Sequence, residues 1–320
     1  MVPSVRALLD GIVDYAGLFP PARLPLDEAI RNYARYRTQP EAWMLGRFIC
    51  PAARLAELSP FVGELFGDGP PLAVSALGRS GADAAGFRDG LRQDANDITD
   101  FRRKHGEQVS VGVYETRLPA GIPREEIMDL LAAANRLFNA GEPQGMLPYY
   151  EASSGGDWSS VLISLGQGRK TLRRSWAVAG FKLRCGGVEA SAFPTPMQVT
   201  LAVVGTRAVQ VPLKFTAGLH HPIRHRDAGL GVVMHGFLNV FVAGVLASAR
   251  GLGGEEVRDI IEEEDAGSFL FSEDGLRWRT HRASVPEIEF ARRAAVTSFG
   301  SCSFDEPRDD LRALGLLKEE

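Results

Sequence analysis

Short β-rich apolar runs alternate with longer amphipathic segments along the chain, the pattern of βα units wrapped around a parallel sheet. IVDYAG (12–17) reads as the first strand. After it, Leu26, Ala29, Ile30 and Tyr33 give one apolar face to a helix over 26–38 that Pro25 and Asp27 open. MLGRFIC (44–50) reads as the second strand, before a helix over 52–66 that Pro60 kinks or divides. PLAVSAL (71–77) is the third, with Phe87, Leu91, Ile98 and Phe101 at helical spacing behind it. The fourth, VSVGVYETRL (109–118), leads into PREEIMDLLAAANRLFNAG, where Pro123, Glu125, Glu126 and a closing Gly141 punctuate a helix. LPYYEAS (147–153) is the fifth, with Asp157 as N-cap of the segment after it, and AVAGFKLRCGG (177–187) is the sixth, before a helix opened by Thr195 and Pro196. VPLKFTAG (211–218) is the seventh. A polar loop and a long apolar helix within 229–249 come next, with His235 and Asn239 four apart on one helical face. GSFLF (267–271) is expected as the eighth strand, SEDGLRWRT as a hairpin turning through Asp274 and Gly275, and 284–299 as a closing helix.

This alternation predicts an α/β fold, a single (β/α)8 TIM-type barrel over 1–320 with a short helical extension at about 301–320. No sequence repeat or low-complexity linker divides the chain. An open doubly wound parallel sheet has the same alternation, but it calls for a glycine-rich dinucleotide turn after its first strand. The first turn here is AGLFPPA, whose two prolines donate no backbone hydrogen bonds to a pyrophosphate.

Composition narrows the function class. With 45% hydrophobic and 24% charged residues in 320, the chain can bury a substantial core, and disorder and collagen-like repeats are excluded. A net charge of −4 without a basic run argues against a nucleic-acid partner. The first residues lack a secretory core, since Asp10 and Asp14 interrupt the apolar run, so a cytoplasmic protein is expected. The apolar stretch near 229–249 is read as a core helix and not as a membrane span. Cys50, Cys185 and Cys302, odd in number and far apart, fit reduced thiols. A small-molecule substrate remains, with no nucleic acid and no membrane; a homo-oligomer is compatible with the chain.

In a barrel, chemistry belongs to the carboxyl ends of the strands and alternate residues point inward. Glu115 and Arg117 share one strand face, and Tyr149 and Glu151 another. Lys182 and Arg184 lie opposite Phe181 and Leu183, and Lys214 and Thr216 opposite Leu213 and Phe215. If the apolar faces meet the helices, Glu115, Glu151, Lys182, Arg184 and Lys214 converge on the mouth, with Asp14 facing inward from the first strand. Such a set is expensive to maintain unless paired or given a ligand. A lysine amine attacks a carbonyl only when neutral, and a neighbouring cation lowers its pKa toward that state.

FKLRCGG on the sixth strand and LKFTAG on the seventh resemble the class I aldolases of the deoxyribose-phosphate aldolase type, which end the sixth barrel strand with a Schiff-base lysine and carry a second lysine on the seventh. The resemblance covers these two short motifs. It implies that Lys182 forms the imine and Lys214 lowers its pKa. The loop after Lys214, TAGLHHPIRHRDAG, is no phosphate-cradling glycine turn, so the resemblance extends to a reaction class and not to a phosphorylated substrate.

The leading expectation is therefore a lyase needing no cofactor, acting on a polar or anionic carbonyl compound. Lys182, Lys214, Glu115 and Glu151 are its catalytic set, and Arg184, His220, His221, Thr216 and Asp14 bind substrate. One alternative is an isomerase or hydrolase using a divalent metal such as zinc or manganese, held by Glu115, Glu151 and a loop histidine, with His221 and His225 as a pair if that segment is helical. Another is a non-catalytic binding barrel, whose rim charges pair with one another and leave no large pocket. Cys185 as a thiolate stabilised by Lys182 or Arg184 lacks any surrounding elbow motif. SLGQGRKT (164–171) departs from a phosphate loop by placing Arg169 where lysine is required.

Overall fold

Residues 1–139, 145–152, 157–171 and 179–318 are described by a computed structural model of the protein. The apolar runs form strands where the pattern puts them as far as the seventh: β1 (Val13–Tyr15), β2 (Leu45–Pro51), β3 (Leu72–Leu77), β4 (Val109–Arg117), β5 (Leu147–Glu151), β6 (Gly180–Arg184) and β7 (Leu213–Thr216). Two hairpin strands, β8 (His225–Asp227) and β9 (Val232–Met234), come after β7, and β10 (Phe269–Phe271), β11 (Gly275–Trp278) and β12 (His281–Ser284) form a three-stranded antiparallel sheet. The ring is completed by β13 (Val296–Ser301), which pairs in parallel with β7 on one side and β1 on the other. The result is a closed, all-parallel (β/α)8 TIM barrel in the order β1, β13, β7, β6, β5, β4, β3, β2. The open-sheet alternative is excluded by that closure.

The eighth barrel strand is a correction. GSFLF is extended and turns into β11 as expected, but it belongs to the small antiparallel sheet. The expected closing helix is α10 (Val285–Ala294), and the chain becomes β13 only two residues later.

Helices α1 (Pro3–Leu9), α2 (Leu26–Tyr36), α3 (Ser59–Phe66), α4 (Ala84–His105), α5 (Arg124–Asn139), α6 (Trp158–Thr171) and α7 (Pro196–Val209) precede α8 (Phe237–Arg250) and α9 (Gly254–Glu262). Pro60 divides 52–66 into a 3-10 segment and α3. Asp157 accepts from the Ser160 N–H at 3.1 Å, and Thr195 closes a capping box with Gln198. Residue 140, Gly141, residue 153 and residues 177–178 of the expected runs lie outside the described residues. His235 is not on the apolar helix, which begins at Phe237 because 232–234 is paired in β9. His235 is buried and hydrogen-bonds the Pro194 carbonyl at 2.7 Å, while Asn239 donates to the carbonyls of Ile260 and Glu263. Among the described residues no helix is long and apolar enough to cross a membrane.

The segment expected as an extension contains α11 (Asp305–Ala313), the helix after the eighth strand. Tyr36 donates to Asp305, and Arg308 and Arg312 hold the buried Glu41 carboxylate. Outward-facing rings meet the helices: Tyr15 against Tyr36, Tyr114 against Phe138, Phe181 against Trp158, Phe215 against Phe241, and Phe299 stacked on Phe237. Burial of each such side chain contributes about 1.5–3 kcal/mol. Packing thus occupies the outer face of the strands, and their inner face carries polar residues.

Candidate active site

Period-two alternation turns Asp14, Ser75, Glu115, Glu151, Lys182, Lys214 and Ser298 inward, and all are buried. Lys182 and Lys214 are direct neighbours in the register of β6 and β7. The Glu115 carboxylate bridges them, with Oε2 2.9 Å from Lys182 Nζ and Oε1 3.0 Å from Lys214 Nζ. Ser75 Oγ donates to the same Oε1 at 2.6 Å. Lys214 also donates to Asp14 Oδ2 and to Ser298 Oγ, and Ser298 Oγ donates in turn to Asp14 at 2.8 Å. Asp14 Oδ1 accepts from the Arg47 backbone N–H at 2.6 Å. That last contact needs glycine at position 46, where a Cβ would stand 2.4 Å from Asp14 Oδ1.

Above this layer, Lys182 Nζ lies 3.4 Å from Glu151 Oε2. Glu151 Oε1 accepts from Arg117 at 2.9 Å and from Arg184 at 3.1 Å. The side chains of Arg117 and Arg184 are 49% and 41% exposed, against 5% for Lys182 and 0% for Lys214. The network therefore begins in the sealed interior and ends at solvent on the carboxyl side of the strands.

Electrostatics depend on this pairing. Burial raises the Glu115 pKa, but Lys182 and Lys214 outweigh it and hold the carboxyl well below the usual carboxylate range. Glu151 is lowered likewise, burial being overcome by Lys182, Arg184 and Arg117. For Lys214, burial favours loss of the proton, yet Asp14 and Glu115 outweigh burial and raise its pKa above the ordinary lysine value. Lys214 is therefore a fixed cation at neutral pH.

Thr216 faces inward above Lys214, against Gly300 of β13. His220 and His221 come after β7 at the same end of the barrel but are engaged with α11, His220 Nδ1 at 3.1 Å from Glu306 and His221 Nδ1 at 2.6 Å from Asp310. The segment is not helical, and His221 meets His225 edge to face. Among the described residues no group of three or more His, Cys, Asp or Glu is arranged to hold a metal ion, so Glu115, Glu151 and a loop histidine do not form a ligand set. Burial pushes the Cys185 thiol well above its ordinary pKa, which opposes a thiolate.

Ser75, Ser298 and Arg117 complete the network and were not among the expected site residues. Ser75 is the lone polar residue of PLAVSAL and Arg117 shares the inward face of Glu115, both visible signals. Ser298 belongs to the strand whose position the sequence hides.

Fold and site together define a TIM barrel whose axis carries a lysine–carboxylate network. Comparison with protein-family models and with curated proteins gives no match.

Proposed function

We propose that this barrel is a lyase of the aldolase kind, which forms a Schiff base between Lys182 and a small anionic carbonyl compound such as a keto acid or sugar derivative. The observation that carries this reading is the Lys182–Glu115–Lys214 bridge beneath the two exposed arginines. In the resting network Lys182 sits between the carboxylates of Glu115 and Glu151. A substrate anion that engages Arg117 and Arg184 draws both away from Glu151, and that carboxylate regains proton affinity. The Lys182 proton then moves to Glu151, while Lys214 remains charged and opposes its return.

The neutral amine adds to the carbonyl carbon and gives a carbinolamine. Glu151 returns its proton to the departing hydroxyl, water leaves, and a protonated imine remains on Lys182. Where the substrate carries a β-hydroxyl, a carboxylate takes that proton. The carbon–carbon bond breaks with its electron pair passing to the imine nitrogen as an enamine, and an aldehyde is released. Protonation of the enamine carbon and hydrolysis regenerate the amine.

One observation favours a second reading. Glu115 and Glu151 are each already paired with a lysine or arginine, which is the rim expected of a non-catalytic binding barrel. The deciding experiment is intact-mass spectrometry after borohydride reduction in the presence of small keto acids, aldehydes and ketoses, with peptide mapping. A reduced adduct on Lys182 that Lys182→Ala abolishes while the fold persists supports the lyase. No adduct from the folded wild type across the panel overturns it in favour of the binding barrel.

A further inference from the structure

Asp14 has two oxygens, and only Oδ2 serves the lysine network. Oδ1 faces Arg47, whose guanidinium stands 3.8 Å away, too far for a hydrogen bond. Arg47 and Ser298, two of the residues that hold Asp14, also line a cavity of about 700 Å3 at the amino ends of the strands. That is the end opposite the candidate active site.

The wall of this cavity is unbalanced in charge. Helices α1 and α10 add Arg6, Arg292 and Arg293 to Arg47, against the carboxylates of Asp10 and Glu289. Arg6 is paired with Asp10 at 3.2 Å. Arg292 is buried and donates to the carbonyls of Leu8, Asp10, Val296 and Thr297, and it enters no ion pair among the described residues. Burial lowers its pKa to about 10, and the charges of Asp10 and Asp14 offset only part of that cost. Arg293 is exposed and likewise enters no ion pair among the described residues. Val113, Leu147 and Val285 supply an apolar wall beside these charges.

We infer that this cavity is a second binding site, for a small multiply charged oxyanion clamped by Arg47 and Arg293 with its body against the apolar wall. Guanidinium groups match carboxylate and phosphate oxygens in pairs, and the buried Arg292, which enters no ion pair among the described residues, adds positive charge to the wall. The volume suits a metabolite-sized ligand.

Binding here also reaches the lysines. An anion that turns the Arg47 guanidinium away from Asp14 strengthens the hold of Asp14 on Lys214, which shares Glu115 with Lys182. This coupling rests on the proposed lyase reading; the binding itself does not.

The test is calorimetric titration of the full chain with citrate, a tricarboxylate, and with pyrophosphate. Saturable binding of at least one probe is expected, weakened about tenfold or more by Arg293→Ala and by Arg47→Ala and retained with at most a small shift in Arg184→Ala and Lys182→Ala. Arg293 is at the surface, so its variant keeps the fold and carries the test if Arg47→Ala does not fold. Persistence of binding in Lys182→Ala separates this site from the fate of the lyase reading. Absence of binding by both probes at millimolar concentration overturns the proposal. So does binding that survives Arg293→Ala and is lost in Arg184→Ala, because the anion then sits at the other mouth.

Discussion

Two layers of charge occupy the same barrel and differ in what they can exchange. In the inner layer Asp14, Lys214, Glu115, Ser75 and Ser298 are buried and pair chiefly with one another. In the outer layer Lys182 and Glu151 are as well paired, but their further partners, Arg117 and Arg184, reach water. Lys214, fully buried, has no partner outside this network, so its pairing is a requirement of folding. An outer charge can trade a carboxylate of the protein for one of a ligand, and that freedom is what a binding or catalytic site needs.

The sharpest way to break this contrast is to delete the two lysines separately. Lys214→Ala strands the buried Asp14 carboxylate and leaves Glu115 with Lys182 alone, and is expected to destabilise the protein by about 3–5 kcal/mol, the usual cost of breaking a buried pair. Lys182→Ala leaves Glu115 its Lys214 and Glu151 its arginines, and a smaller loss of about 1–2 kcal/mol is expected. Chemical denaturation of both variants checks the difference; equal losses would remove the distinction between the layers.

Next in size is the arginine rim. Arg184→Ala and Arg117→Ala should each weaken binding of an anionic carbonyl compound about tenfold, or about 1.4 kcal/mol, with little change in melting temperature. A fall in melting temperature as large as that of Lys214→Ala would assign the rim to the structural layer.

A pH series sharpens the contrast further. The folded pKa values of Glu115 and Glu151 lie below the ordinary 4.5, so in acid the unfolded chain binds more protons. Their contribution is complete above pH 4.5 and is lost as pH falls through the depressed folded values. Lys214 has the opposite sign: its pKa is raised above 10.5, so its contribution is present below that pH and is lost as pH rises through the folded value. Stability measured against pH should show a plateau between these limits, and Glu115→Gln should flatten its acid arm. An unchanged acid arm would show that Glu115 does not report on the inner layer.

The smallest effect belongs to His221. Its partner Asp310 and its own side chain are both about a third or more exposed. His221→Ala is expected to lower stability by less than about 1 kcal/mol and to weaken substrate binding more than folding. A large fall in melting temperature with unchanged kinetics would return the residue to a packing role.

How far the sequence carried depended on the contrast between the two faces of each strand. Strands such as GFKLR and PLKFT alternate large apolar with charged residues, so the inward lysines were legible from period alone. The eighth strand was hidden for the same physical reason. VTSFGS turns Ser298 toward Lys214 and places Gly300 where a Cβ would meet Ile49 and Thr216 at 3.1 and 3.2 Å, so small and polar residues replace the apolar run that marks a strand. It also comes after α10 without a Gly or Pro break, which extends the helical reading. The pairing of His220 and His221 with α11 was equally illegible, because contacts across 86 and 89 positions leave no trace in local spacing.

That late strand also dictates how the protein can be assembled. The hydrogen bond from Ser298 to Asp14 spans 284 positions, and β13 is the last of the eight barrel strands to be synthesised. Until it emerges, β1 and β7 remain bare sheet edges and the charges of the inner layer lack Ser298. A nascent chain therefore carries these two adhesive edges from the completion of β7 until β13 emerges, and interruption in that interval leaves a ribbon open to pairing with other chains.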